Sequence, residues 1–79
     1  MLLKKIIDKI INNDPILASR TERAKWAIAK ILYQLSVKGK VDIKSIANDT
    51  RLSTTHIRRL TAVVRKRKES IILTKKILQ

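Results

Sequence analysis

Residues 42–68, DIKSIANDTRLSTTHIRRLTAVVRKRK, read as two helices joined by a tight turn, with the second helix loaded with arginine. Asp42 is a good N-cap, because its carboxylate can accept from the free backbone N–H groups of the next turn. Ile43, Ile46 and Ala47 follow at helical spacing on one face. The pattern stops at Thr50-Arg51-Leu52. Ser53 supplies a second N-cap. Apolar positions then resume at Ile57, Leu60 and Val64, in steps of three and four that make one helical stripe. The segment between the two helices is too short for anything but a turn.

This spacing resembles the helix-turn-helix of DNA-binding proteins, from Ile43 to Ala62, together with the long helix expected before it. In that family a small residue on the first helix lets the second pack closely, and Ala47 matches it. Leu52 matches the apolar plug of the turn, and Ser53 the small polar residue that opens the second helix. Ile57 and Leu60 match its two apolar anchors. The family most often has glycine where this chain has Arg51. The turn there takes a positive φ, at a cost to a non-glycine residue of about 1 kcal/mol. Winged members add a short strand, at the place of Gly39-Lys40-Val41, and a hairpin after the second helix. No Gly, Asn or Pro follows Lys68 to turn a hairpin, so the resemblance is to a wingless or degenerate winged type.

The resemblance implies that base edges in the major groove are read from Ser53, Thr54, Thr55, Arg58, Arg59 and Ala62. The chemistry suits that role. Arginine bonds bidentately to guanine, threonine donates, accepts or touches a thymine methyl, and alanine leaves room for approach. The N-terminus of the helix offers backbone N–H groups to a phosphate. With Ile57, Leu60 and Val64 buried, Thr54, Thr55, Arg58, Arg59, Ala62 and Arg65 point away from the core. Arg65, Lys66, Arg67 and Lys68 encircle the helix, so they suit phosphate contacts that carry no sequence information.

Composition points the same way. The chain has 79 residues, enough for one small domain, and 19 Lys and Arg against 6 Asp and Glu give a formal net charge of +13. So lopsided a charge repels itself and favours a polyanion as partner, nucleic acid first and an anionic membrane surface second. Residues 51–79 alone hold nine Lys and Arg and one acid. The alternative for that set is a solvated basic face, as many thermophilic proteins carry. There is no cysteine, which excludes disulfides and thiolate metal sites and fits a reducing compartment. One Gly and one Pro argue against a turn-rich β protein. The only aromatic residues are Trp26 and Tyr33, which argues against stacking platforms for single strands. The abundance of isoleucine and lysine is common in AT-rich genomes and heat-loving, archaeal-like sources.

Upstream, Leu2, Leu3, Ile6, Ile7, Ile10 and Ile11 recur in pairs every fourth residue, with Lys4, Lys5, Asp8 and Lys9 opposite. An amphipathic helix is expected over 1–13, either covering the core, pairing with a second copy, or lying on a membrane surface. Asn12-Asn13-Asp14-Pro15 should end it, with an asparagine in the left-handed conformation and Pro15 barring continuation. A long helix follows over 15–38. It starts either at Pro15 behind an Asp14 cap or at the capping box Ser19-Arg20-Thr21-Glu22. Its apolar face is Ala24, Ala27, Ile28, Ile31, Leu32 and Leu35, and Lys38-Gly39 makes its C-terminus. Trp26 and Tyr33 share another face, as half-buried packing residues or a partner-docking patch. Residues 69–79 either continue the second helix, fold back as a last helix after a break near Ser70, or form a strand. A long apolar end on so small a chain suggests a dimer contact or a protein partner.

No catalytic constellation is visible. The single histidine, His56, has no carboxylate or nucleophile at a triad spacing, and one glycine cannot build a phosphate-cradling loop. Asp8, Asp14, Asp42 and Asp49 are explained by pairing and capping. No apolar run reaches membrane-spanning length, and the charge-interrupted N-terminus is unlike a secretory signal. The expectation is a single all-α domain, a small three- to four-helix bundle containing a helix-turn-helix. It has no cofactor or metal, is cytoplasmic, and is not an enzyme. It binds double-stranded DNA, with RNA possible, as a transcriptional regulator or chromosome-associated protein, and acts as a homodimer. The alternative is a small basic accessory subunit of a polymerase, ribosome or other nucleoprotein complex.

Overall fold

The computed structural model describes residues 2–79. Its elements are α1 (Leu2–Lys9), a 3-10 turn (Ile11–Asn13), α2 (Pro15–Ala18), α3 (Glu22–Lys38), α4 (Ile43–Thr50), α5 (Thr54–Arg65) and α6 (Lys68–Leu78). The described residues are thus all-helical, without a strand, and six α-helices replace the three or four expected. The additional helices come from two breaks that local sequence signals under-determine.

The first break divides the span 15–38. Asp14 caps α2, accepting from the backbone N–H groups of Ile16 (3.0 Å) and Leu17 (3.4 Å), with Pro15 in the first turn. The chain then turns at Ser19-Arg20. Thr21, not Ser19, caps α3, through an acceptor bond from the Ala24 N–H at 3.3 Å. The start at Pro15 is therefore used, by α2, whereas Ser19 closes that helix and α3 starts beyond it, at Glu22. The asparagines before Asp14 do not take the left-handed conformation. Among the described residues only Gly39 and Arg51 have positive φ, and the chain leaves α1 through the 3-10 turn.

Helix α3 is the centre of the bundle, and α1, α4, α5 and α6 all pack on it. Its expected face, Ala24, Ala27, Ile28, Ile31, Leu32 and Leu35, is buried. So is Ala29, which lies off that face, because neighbours surround the helix on more than one side. Ile6, Ile7, Ile10 and Ile11 cover one flank, while Leu2 stays exposed. Gly39 ends α3 in the left-handed conformation (φ 75°) and its N–H donates to the Leu35 carbonyl at 3.1 Å. The Asp42 N–H donates to Gln34 Oε1 at 2.7 Å, tying the start of α4 to α3.

From α4 and α5, Ile46, Ala47, Ile57, Leu60 and Val64 join the core; Leu52, in the turn, is half-buried. Thr50, Thr61 and Thr74 are buried polar residues that satisfy themselves. Each hydroxyl donates to the carbonyl four residues earlier, at 2.7, 2.8 and 2.8 Å.

The second break ends α5. Arg67 Nε donates to Asp14 Oδ2 at 3.0 Å, and Ser70 Oγ donates to the same oxygen at 2.7 Å. One carboxylate thus caps α2 and pins the start of α6, more than fifty residues away in sequence. The chain breaks at Lys66-Arg67, before Ser70, and residues 68–78 return across α3 as a helix. Ile71 and Ile77 pack against the core, whereas Ile72 and Leu73 remain exposed. Among the described residues no helix is long and apolar enough to cross a membrane.

Candidate nucleic-acid interface

Helix α5 owes its orientation to one stripe. Ile57, Leu60, Thr61 and Val64 are buried, so the opposite side faces solvent. At about 100° per residue, Thr55, Arg59, Ala62 and Lys66 fall on one line along the exposed side. Arg58 and Arg65 lie on one flank of that line, and half-buried His56 and Val63 on the other. Thr55, Arg58, Arg59, Ala62, Arg65 and Lys66 are all exposed, and Thr54 is half-buried. The helix carries no acidic residue. Thr55 and Lys66 are about 16 Å apart along the axis, beyond the ~12 Å width of a B-DNA major groove. A helix laid into such a groove from its N-terminal end would therefore carry Arg65 and Lys66 out to the rim, where phosphates lie.

The N-terminus is capped by Ser53, whose Oγ accepts from the His56 N–H at 3.0 Å. Ser53 itself is exposed. The preceding turn holds Arg51 in the left-handed conformation, φ 61° and ψ 24°. A glycine would relieve strain of about 1 kcal/mol at this position. Arg51 is exposed two residues before the cap, so it adds a cation near the N-terminal end of α5. In the sequence Arg51 stands in glycine's place and is one of the nine basic residues of 51–79; its exposure follows from the turn. Arg51→Gly is expected to raise stability by about 1 kcal/mol in urea titrations while weakening binding to duplex DNA. An unchanged affinity would remove Arg51 from the interface.

The ten candidate residues do not form one uniform set. Lys68 is exposed in the first turn of α6, beyond the break. Arg67 is half-buried, with its Nε committed to Asp14. It is a structural residue first, and it does not share the free exposure of Arg58, Arg59, Arg65 and Lys66. Ion pairs among the described residues join Lys25 to Glu22 (4.0 Å), Lys30 to Asp49 (3.5 Å) and Arg67 to Asp14 (3.0 Å). None of them involves Arg51, Arg58, Arg59, Arg65 or Lys66. Those five cations face solvent without an internal counter-charge.

Asp14 is a buried carboxylate whose acidity is altered by its surroundings. Burial works to raise its pKa. The Arg67 guanidinium, the Ser70 hydroxyl and the backbone N–H groups of Ile16 and Leu17 outweigh that effect and hold it below the ordinary 3.8. No group of three or more His, Cys, Asp or Glu side chains among the described residues is arranged to hold a metal ion.

No family model, no curated protein and no solved structure matches this chain.

Proposed function

We propose that the protein binds double-stranded DNA without catalysis, with α4 and α5 acting as a helix-turn-helix, as a small cytoplasmic transcriptional regulator or chromosome-associated protein. The observation that carries this reading is the exposed side of α5. Arg51, Arg58, Arg59, Arg65 and Lys66 line it or its ends, with no acid on the helix and no internal ion pair to any of the five. Such a face costs folding energy through self-repulsion unless a polyanion meets it. Ser53, Thr54, Thr55, Arg58, Arg59 and Ala62 would face base edges, and Arg65, Lys66 and Lys68 the phosphates. A homodimer would double both kinds of contact. The core requires Ile57, Leu60 and Val64, but it does not require arginines opposite them.

Fluorescence anisotropy with a labelled duplex across a salt series tests the reading. Affinity should fall with a log–log slope of about −0.9 per phosphate neutralised. The double variant Arg65→Ala/Lys66→Ala, which removes two of the phosphate contacts, should flatten that slope by about 2. Binding that is insensitive to salt, or a double variant with the wild-type slope, would refute the role of α5. A structured RNA that outcompetes the duplex would replace DNA by RNA as the ligand. Folded protein that binds neither would leave the accessory-subunit function in place of the regulator.

A further inference from the structure

Among the described residues, the central helix α3 is covered on most sides but leaves one stripe open. Arg23, Trp26, Lys30, Tyr33 and Val37 recur along it at helical spacing; Val37 is 55 % exposed, and Trp26, Lys30 and Tyr33 are half-buried. Lys30 divides the stripe into two depressions. One, of about 290 Å³, is lined by Leu2 and Leu3 of α1 with Tyr33 and Gln34. The other, of about 410 Å³, lies between Arg23 and Trp26 on α3 and Asp49 and Thr50 on α4. The only two aromatic side chains in the protein therefore sit one in each depression. They are seven residues apart, about 10.5 Å along the helix.

The polar groups of this stripe are almost all donors. Lys30 Nζ lies 3.5 Å from Asp49 Oδ2, which occupies the one carboxylate at the rim. Among the described residues no hydrogen bond takes the Trp26 indole N–H or the Tyr33 hydroxyl. Neither atom is a buried orphan, since the one buried unpartnered side-chain atom is Ser36 Oγ. Arg23 is exposed and joins no ion pair among the described residues. Two depressions one helical repeat of seven apart, edged among the described residues by the Trp26 and Tyr33 donors, by unpaired Arg23 and by Lys30 with its one carboxylate partner Asp49, are complementary to a helix with acceptors along its flanks. A second copy meeting this stripe with its own is a poor occupant, because Arg23 and Lys30 would then face Arg23 and Lys30. Duplex DNA is poorer still, since its phosphates gain nothing from Leu2, Leu3 and the aromatic rings.

We infer that the open stripe of α3 docks an acidic amphipathic helix of a partner protein, seating two apolar side chains seven residues apart beside Trp26 and Tyr33. The stripe shares no residue with the α5 face, so this inference stands apart from the DNA proposal. A protein with both surfaces would link an acidic protein segment to nucleic acid.

Trp26 is the only tryptophan, so its emission reports the site directly. The full chain is titrated at physiological salt with a synthetic helical peptide bearing two leucines seven residues apart flanked by glutamates, and with a scrambled peptide of identical composition. The designed peptide should shift Trp26 emission to shorter wavelength and saturate, and the scrambled one should bind at least tenfold more weakly. Tyr33→Ala should lower peptide affinity at least tenfold and leave duplex affinity unchanged. Lys30→Glu, at a partly exposed position, should give the same loss should Tyr33→Ala fail to fold. Arg58→Ala/Arg59→Ala should bind the peptide like the wild type. Equal binding of the two peptides, no emission shift, or a shift produced by a single-stranded oligonucleotide instead of the peptide would overturn the inference. The last result would make the stripe a base-stacking surface.

Discussion

Truncating Ile57 to alanine should destabilise the protein by about 2–5 kcal/mol, through lost burial plus the cavity left behind. Ile57 is fully buried in the second turn of α5, in the same core as Ile28, Ile31 and Leu35 of α3 and Ile46 of α4. Nothing on the solvent side of α5 can close the hole, because that side is arginine and threonine. A small domain has only about 5–15 kcal/mol of stability in total, so the variant should unfold at a much lower urea concentration. A loss below about half a kcal/mol, the range of ordinary surface substitutions, would show that α5 is not seated on α3 as described.

Asp14→Ala should cost about 2–4 kcal/mol, from a lost N-cap and from the stranded donors of Ser70 and Arg67. Asp14→Asn should cost less, since asparagine caps nearly as well. The pH dependence has a definite sign. The folded-state pKa of Asp14 lies below its ordinary 3.8, so its contribution is fully present above that value. It is lost as pH falls through the lower folded-state pKa. The stability difference between wild type and Asp14→Asn should therefore be constant near neutrality and shrink only below about pH 4. A difference that changed between pH 6 and 8 would assign the effect to another group. Loss of Asp14 should also loosen the start of α6, because Arg67 and Ser70 are held by no other carboxylate among the described hydrogen bonds.

These two residues mark the limit of what the chain reveals by reading. Ile57 was legible because helical periodicity is local: a stripe at steps of three and four can bury only one way. The caps at Asp42, Ser53 and Gly39 were legible for the same reason, since each acts within one turn. Asp14 was legible as a cap but not as a clamp, because its bonds to Arg67 and Ser70 span 53 and 56 residues. Without that clamp, nothing local says that the helix stops at Arg65, or that Arg67 differs from its basic neighbours. The division of 15–38 was hidden by two adjacent cap signals, each sufficient alone. Ala29 was missed because a stripe predicts one buried face, whereas a central helix has several. The open stripe around Trp26 and Tyr33 was visible as a shared face. Its depressions need Leu2 and Leu3 from α1 and Asp49 and Thr50 from α4, and only the fold brings those together.

The DNA proposal rests on one face of one helix, and amide chemical-shift mapping tests it there. Isotope-labelled protein is titrated with a short duplex at moderate salt, and each backbone amide is followed. The largest perturbations should fall on Arg51, on Ser53 to Ala62 and on Arg65-Lys66, with the Trp26–Tyr33 stripe of α3 unmoved. Perturbations gathered on α1 or on the α3 stripe, or none at all at duplex concentrations that saturate a basic protein of this charge, would contradict it.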